Sequence, residues 1–105
     1  MAEWQKVGQA GDVAEGEINS YQIGERTVAV ANIDCDLHAF DDICPHEQCA
    51  LSEGDIDGTV VECPCHGSRF DVMTGEVVTG PSTDPIDVFE AREEEGALEV
   101  ALKEA

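Results

Sequence analysis

Positively charged residues are scarce in this chain. Its 105 residues include 5 Lys and Arg against 24 Asp and Glu, which gives a formal net charge of −19. Binding to a nucleic-acid backbone requires clustered Lys and Arg, so this composition excludes it, and it also opposes contact with anionic lipid. Two interpretations of the acidity remain open. It can steer the protein toward a basic face on a partner, or it can serve solubility and adaptation to salt.

Long apolar runs are also absent. No stretch approaches the ~20 apolar residues that span a bilayer, and residues 1–20 lack the basic and apolar segments of a signal peptide. We therefore expect one cytoplasmic domain covering residues 1–105, without a membrane segment. A domain of this size supports one modest core, and a bound metal centre would add to its stability.

Cysteine and histidine are few, but most of them lie in two short boxes. Cys44-Pro45-His46 is followed, after sixteen residues, by the box that begins at Cys63 and ends at His66. Two Cys and two His form the ligand set of a [2Fe–2S] centre in which histidines replace two of the cysteines. The alternative is a structural zinc site, which usually pairs Cys with Cys and His with His. Each box here pairs one Cys with one His, which favours iron and sulfur.

These boxes, within residues 42–85, resemble those of the Rieske family, and the chain length fits a small Rieske ferredoxin. The resemblance implies that Cys44 and Cys63 bind one iron, whereas His46 and His66 bind the other. It also implies a cluster of zero net charge when oxidised, which accepts an electron more readily than a four-cysteine cluster. Such centres have potentials of about −150 to +300 mV, compared with about −400 mV for plant-type ferredoxins.

Three cysteines remain after the proposed ligands. Cys49 and Cys65 match a pair that forms a disulfide between the two cluster loops in Rieske proteins of quinol-oxidising complexes. The resemblance to these proteins implies a disulfide between Cys49 and Cys65, with two buried free thiols as the alternative. Rieske ferredoxins of dioxygenase systems usually lack this pair. Such a bond would contribute ~3 kcal/mol by chain entropy. Cys35 is assigned no role.

The surroundings of the boxes combine features of different Rieske branches. Ser68 matches a serine that donates a hydrogen bond to a cluster sulfide in the high-potential branch, whereas Phe70 replaces that branch's tyrosine. The backbone N–H of Gly67 is a further candidate donor to sulfur. The segment containing Pro81 resembles a proline-bearing loop that covers the cluster, although an ordinary turn between strands is the alternative.

Short apolar-alternating runs separated by glycine and polar residues predict an all-β protein. We predict strands at residues 4–7, 18–23, 26–33, 37–40, 59–62, 69–71, 76–78, 86–91 and 97–102. Residues 18–33 should form a hairpin around Gly24, and residues 86–102 should form another around residues 93–96. Residues 11–16 read as a turn or a single helical turn. The resemblance adds a Rieske fold: an antiparallel β-barrel or sandwich base with a cluster-binding part, about residues 42–85, that presents two ligand loops.

Residues 51–63 look most like the ferredoxin component of ring-hydroxylating dioxygenase systems. This resemblance implies a one-electron carrier, not itself an enzyme, between a flavin-dependent reductase and a terminal oxygenase or another partner with a basic docking face. One alternative is the small Rieske subunit of a larger oxidoreductase complex, of the nitrite or arsenite oxidoreductase type. Another is a structural metal-binding module without a redox role.

Overall fold

The computed structural model describes residues 4–43, 49–65, 67–80 and 84–101. This part of the chain contains ten β-strands and one short 3₁₀ helix at Leu51–Glu53. In chain order the strands are β1 (Trp4–Gln9), β2 (Ile18–Ile23), β3 (Arg26–Ile33), β4 (Asp36–Asp41), β5 (Asp55–Asp57), β6 (Val60–Glu62), β7 (Arg69–Asp71), β8 (Val77–Thr79), β9 (Val88–Glu94) and β10 (Ala97–Ala101). The prediction of an all-β protein is confirmed.

Six of the strands form a nearly closed antiparallel barrel. Their order is β1-β10-β9-β4-β3-β2. The first strand of the chain therefore pairs with the last, and the sheet continues through the antiparallel pairs β10–β9, β9–β4, β4–β3 and β3–β2. The β3–β4 hairpin turns through Asp34 and Cys35, whose φ angles are 53° and 69°. Two central residues with positive φ match the twist of the flanking strands, and Asp tolerates this conformation better than most residues.

The other four strands form a second antiparallel sheet, in the order β5-β6-β7-β8, which we call the subdomain sheet. It lies between β4 and β9 in the sequence, and these two strands pair with each other in the barrel. The backbone N–H of Asp41 donates to the carbonyl of Asp87 at 2.9 Å where the chain leaves and re-enters the barrel. The subdomain is therefore an insertion within a barrel hairpin.

Strand β3 is buried on both faces because each face contacts a different part of the molecule. Val28 and Val30 point into the barrel interior, where they pack with residues such as Leu98. Ala29 and Ala31 point to the other side and join a second apolar cluster that includes Phe40, Leu51, Val61, Phe70, Val72 and Ile86. Alternating side chains along one strand thus connect the barrel core to the subdomain core.

The hairpin predicted at residues 18–33 is confirmed with its bounds, as is the strand at residues 69–71. Residues 11–16 form turns and no helical turn, and the last hairpin has a two-residue turn at Glu95 and Gly96. The 3₁₀ helix and β5 were not predicted. No helix in the part of the chain that the structure describes has the length and apolar character needed to cross a bilayer.

Candidate metal centre

The residues on either side of the first predicted ligand box are held together. Ile43 and Ala50 form an isolated antiparallel bridge, and the backbone N–H of Leu51 donates to the carbonyl of Asp42 at 2.6 Å. Cys44 and His46 lie between these paired residues in the sequence, and both fall outside the described residues.

The second box lies in the turn between β6 and β7. The backbone N–H of Cys63 donates to the carbonyl of Ser68 at 2.7 Å, and the N–H of Gly67 donates back to the carbonyl of Cys63 at 3.1 Å. Gly67 has a φ of 78°, which a glycine adopts without strain. Cys63 is 1% exposed and is a free thiol packed against the apolar subdomain core. His66, the second predicted ligand of this box, lies outside the described residues.

A disulfide between Cys49 and Cys65 joins the two loops in the structure. Their Cα atoms are 6.4 Å apart, within the range of protein disulfides. Cys49 is half-buried, whereas Cys65 is exposed. The sulfur of Cys63 lies within 4.8 Å of both sulfurs of this pair. The cross-link thus lies directly beside a predicted iron ligand and joins the second box to the segment that follows the first box in the sequence.

The predicted residues around the ligands occupy different environments. Ser68 is 1% exposed and lies between Gly67 and the first residue of β7. Phe70 is completely buried, pairs with Val61 across the subdomain sheet, and belongs to the apolar core below the second box. Pro81 lies outside the described residues, so the predicted covering loop stays a prediction. Cys35 lies exposed at the β3–β4 turn in the barrel.

Two aspartates at the base of the first loop were not identified from the sequence. Asp42 is 1% exposed, and its carboxylate accepts hydrogen bonds from the backbone and side chain of Ser52. Burial raises the pKa of the neighbouring Asp41 above its usual value, although the Ile43 N–H and the charge of Arg26 oppose that shift. The sequence signal was an acidic pair at the end of an apolar strand, directly before the first box.

The described part of this region suits an iron–sulfur cluster. Thiolates are the protein ligands that bind such clusters, and burial and hydrogen bonds to sulfur tune their potentials. Here a buried free thiol lies in a tight turn that contains a glycine N–H and a buried serine. A disulfide joins that turn to Cys49, which follows the first predicted box in the sequence.

Comparison with known proteins identifies the class to which this fold and site belong. The family model for the Rieske [2Fe-2S] domain matches residues 3–90. The chain belongs to the Rieske [2Fe–2S] family. Its cofactor is the [2Fe–2S] cluster of that family, which resolves the choice between iron–sulfur and zinc.

Individual relatives place the chain more narrowly. It is 40% identical over 99 residues to the ferredoxin CarAc of Metapseudomonas resinovorans, covering 93% of this chain and 92% of that one. It is 35% identical to the anthranilate 1,2-dioxygenase ferredoxin subunit of Burkholderia cepacia, covering 95% and 93%.

Solved structures agree with this placement. A ferredoxin solved in complex with the oxygenase of carbazole 1,9a-dioxygenase superimposes with a TM-score of 0.88 at 39% identity, covering 97% of this chain and 95% of that chain. The ferredoxin of Sphingomonas yanoikuyae B1 gives a TM-score of 0.87 at 31% identity, covering 96% and 100%. The resemblance to ferredoxin components of ring-hydroxylating dioxygenase systems is confirmed, and the protein is an electron-transfer component, not the catalytic one.

Proposed function

We propose that this ferredoxin accepts single electrons from a flavin-dependent reductase and delivers them to the terminal oxygenase of a ring-hydroxylating system. The observation that carries this proposal is the 40% identity to CarAc over nearly the whole chain. A second support is the match in fold to a ferredoxin that was solved in complex with its oxygenase. The likeness to CarAc covers both chains almost completely.

We further propose that Cys44 and Cys63 bind one iron and that His46 and His66 bind the other. When bound, the cluster supplies a one-electron couple. Cys63 supports this assignment because it is buried, free and located in a tight turn. Its burial would exclude water from one ligand, and the disulfide between Cys49 and Cys65 lies beside it. We also treat residues 1–105 as one domain, with a cluster-binding part at about residues 42–85.

The acidic surface supports docking to a basic face on the redox partners. With a net charge of −19, association should be steered electrostatically and should weaken as salt shortens the Debye length to about 8 Å at physiological ionic strength. We propose a cytoplasmic location, where the reductase would supply the electrons. A rate of electron transfer that does not fall with salt would instead support adaptation of the surface to salt.

The ligand assignment is tested with Cys63→Ser and the matched control Cys35→Ser. Both variants remove a free thiol, but Cys63 is buried in the second box and Cys35 is exposed in the barrel. Cys63→Ser should lose iron, visible absorbance and the electron paramagnetic resonance signal of the reduced cluster, whereas Cys35→Ser should keep all three. Equal iron content and unchanged spectra in both variants would contradict the assignment.

Electron transfer is tested separately by stopped-flow mixing of the reduced ferredoxin with an oxidised carbazole-type terminal oxygenase. We expect oxidation of the ferredoxin in step with reduction of the oxygenase, at a rate that falls as salt rises. A ferredoxin that holds its cluster but transfers no electrons to any such oxygenase would contradict the proposed partner. Purification as a permanent subunit of a larger complex would support the alternative of a Rieske subunit.

A further inference from the structure

Asp42 is the only buried charged side chain among the described residues. It is 1% exposed, and the other buried polar residue in that part of the chain is the uncharged Ser68. Burial of a carboxylate is costly unless hydrogen bonds compensate for the lost water. A residue that only filled space here could be apolar. The presence of a carboxylate therefore calls for a specific role.

The hydrogen bonds of Asp42 connect three parts of the molecule. Its backbone N–H donates to the carbonyl of Thr27 in barrel strand β3 at 3.1 Å, and its own carbonyl accepts from Leu51 at 2.6 Å. One carboxylate oxygen accepts from the backbone N–H of Ser52 at 2.7 Å, and the other accepts from the Ser52 hydroxyl at 3.1 Å. The barrel, the 3₁₀ helix and the base of the first ligand loop are thus joined at one residue.

Both carboxylate oxygens of Asp42 have a hydrogen-bond partner on Ser52, so neither is buried unsatisfied. Asp42 precedes Cys44, the first proposed ligand, by two residues in the sequence. A buried charge is screened much less by salt than an exposed one. Because adding an electron makes the centre more negative, a fixed negative charge nearby disfavours reduction.

We propose that Asp42 is a positioning residue that fixes the first ligand loop to the 3₁₀ helix, and that its charge lowers the reduction potential of the cluster. This inference rests on the assignment of Cys44 as a ligand. The negative charge would lower the potential, whereas the hydrogen-bond donors expected at Ser68 and Gly67 would raise it. The potential is then set by a balance between a buried carboxylate and hydrogen bonds to sulfur.

The test compares the midpoint potentials of Asp42→Asn and Asp57→Asn with that of the wild type. Asn at position 42 keeps an oxygen for the Ser52 N–H and offers an amide N–H to the Ser52 hydroxyl, so the loop should keep its anchor. Asp57 lies exposed on the subdomain sheet and loses the same charge. Asp42→Asn should raise the potential at both low and high salt. Asp57→Asn should give a smaller rise that disappears at high salt.

Ser52→Ala provides a second variant that leaves the Asp42 charge in place. It removes the hydroxyl donor that partly neutralises the carboxylate, so the potential should fall, and the loosened loop should release iron faster. The proposal is overturned if Asp42→Asn shifts the potential no more than Asp57→Asn, or if Ser52→Ala raises it. If Asp42→Asn loses its cluster, an unchanged or higher midpoint potential in Ser52→Ala would still overturn the proposed role of the charge. These potentials are measured without partner proteins, so they do not depend on the proposed reductase or oxygenase.

Discussion

Removing the disulfide by replacing both Cys49 and Cys65 with Ser should markedly lower the stability of the protein. The sequence separation of this pair is 16, and closing a loop of that length restricts the unfolded chain by ~3 kcal/mol in the chain-entropy model. For a domain of this size, each kcal/mol shifts the melting temperature by roughly 4–8 °C. The double variant should therefore melt about 12–24 °C lower than the wild type.

The assay is thermal unfolding of the cluster-loaded protein, followed by circular dichroism and by visible absorbance. Cys35→Ser is the matched control because it removes an exposed thiol that forms no disulfide. The double variant should also lose its visible absorbance sooner at a constant temperature, because the second box is no longer held against the first loop.

Thiol labelling of the denatured, iron-free wild type checks the premise directly. Of the five cysteines, three should react without a reductant, and these are Cys35, Cys44 and Cys63. Labelling of all five would show that the bond does not form in solution. A double variant that melts with the wild type and the Cys35→Ser control would refute the stabilising role of the bond.

The remaining predictions concern the potential, the pH dependence and the packing. In voltammetry, Ser68→Ala should lower the midpoint potential because it removes a donor to sulfur, and Phe70→Tyr should raise it if the new hydroxyl reaches a cysteine sulfur. Because burial raises the pKa of Asp41, its contribution to stability is present below the usual aspartate pKa and is lost as pH rises through the raised value. Asp41→Asn should therefore raise the melting temperature at pH 7 and leave it nearly unchanged at pH 3. Gly54→Ala should destabilise the protein by several kcal/mol, as measured by denaturant unfolding, because its Cβ would overlap the backbone carbonyl of Glu62. The control Gly58→Ala, which meets no neighbouring atom, should cost only about 1 kcal/mol for its positive φ.

The barrel hairpins were predictable because the strand-forming residues and the turn residues stand in the sequence where the folded barrel requires strands and turns. Residues 18–33 have strand-forming side chains on either side of Gly24, and the structure places the turn there. Strand β5 was not predictable in this way. It has three residues with Ile56 as its single apolar side chain, and it forms because Gly54 allows close approach to β6.

The ligand boxes remain a prediction from the sequence, and their surroundings could not be predicted. The spacing around Cys63 predicts a metal-binding role for it, but its burial depends on packing with the apolar core of the subdomain. The role of Asp42 depends on Thr27 and Ser52, which are 15 and 10 residues away along the chain. No local pattern connects these three positions, so the buried carboxylate became visible only in the folded structure.

The insertion of the subdomain between paired strands β4 and β9 affects how the two halves can be separated. The covalent connection alone would allow the subdomain to be removed. A short link from Asp41 to Asp87 could close the barrel, because the backbones of these two residues already form a hydrogen bond. In energetic terms the subdomain is not separable, because its excision would remove the apolar side chains that it packs against Ala31 and Phe40. An isolated barrel would therefore expose a hydrophobic face prone to self-association. Transplanting the redox part into another scaffold would require carrying the outer face of β3 along with it.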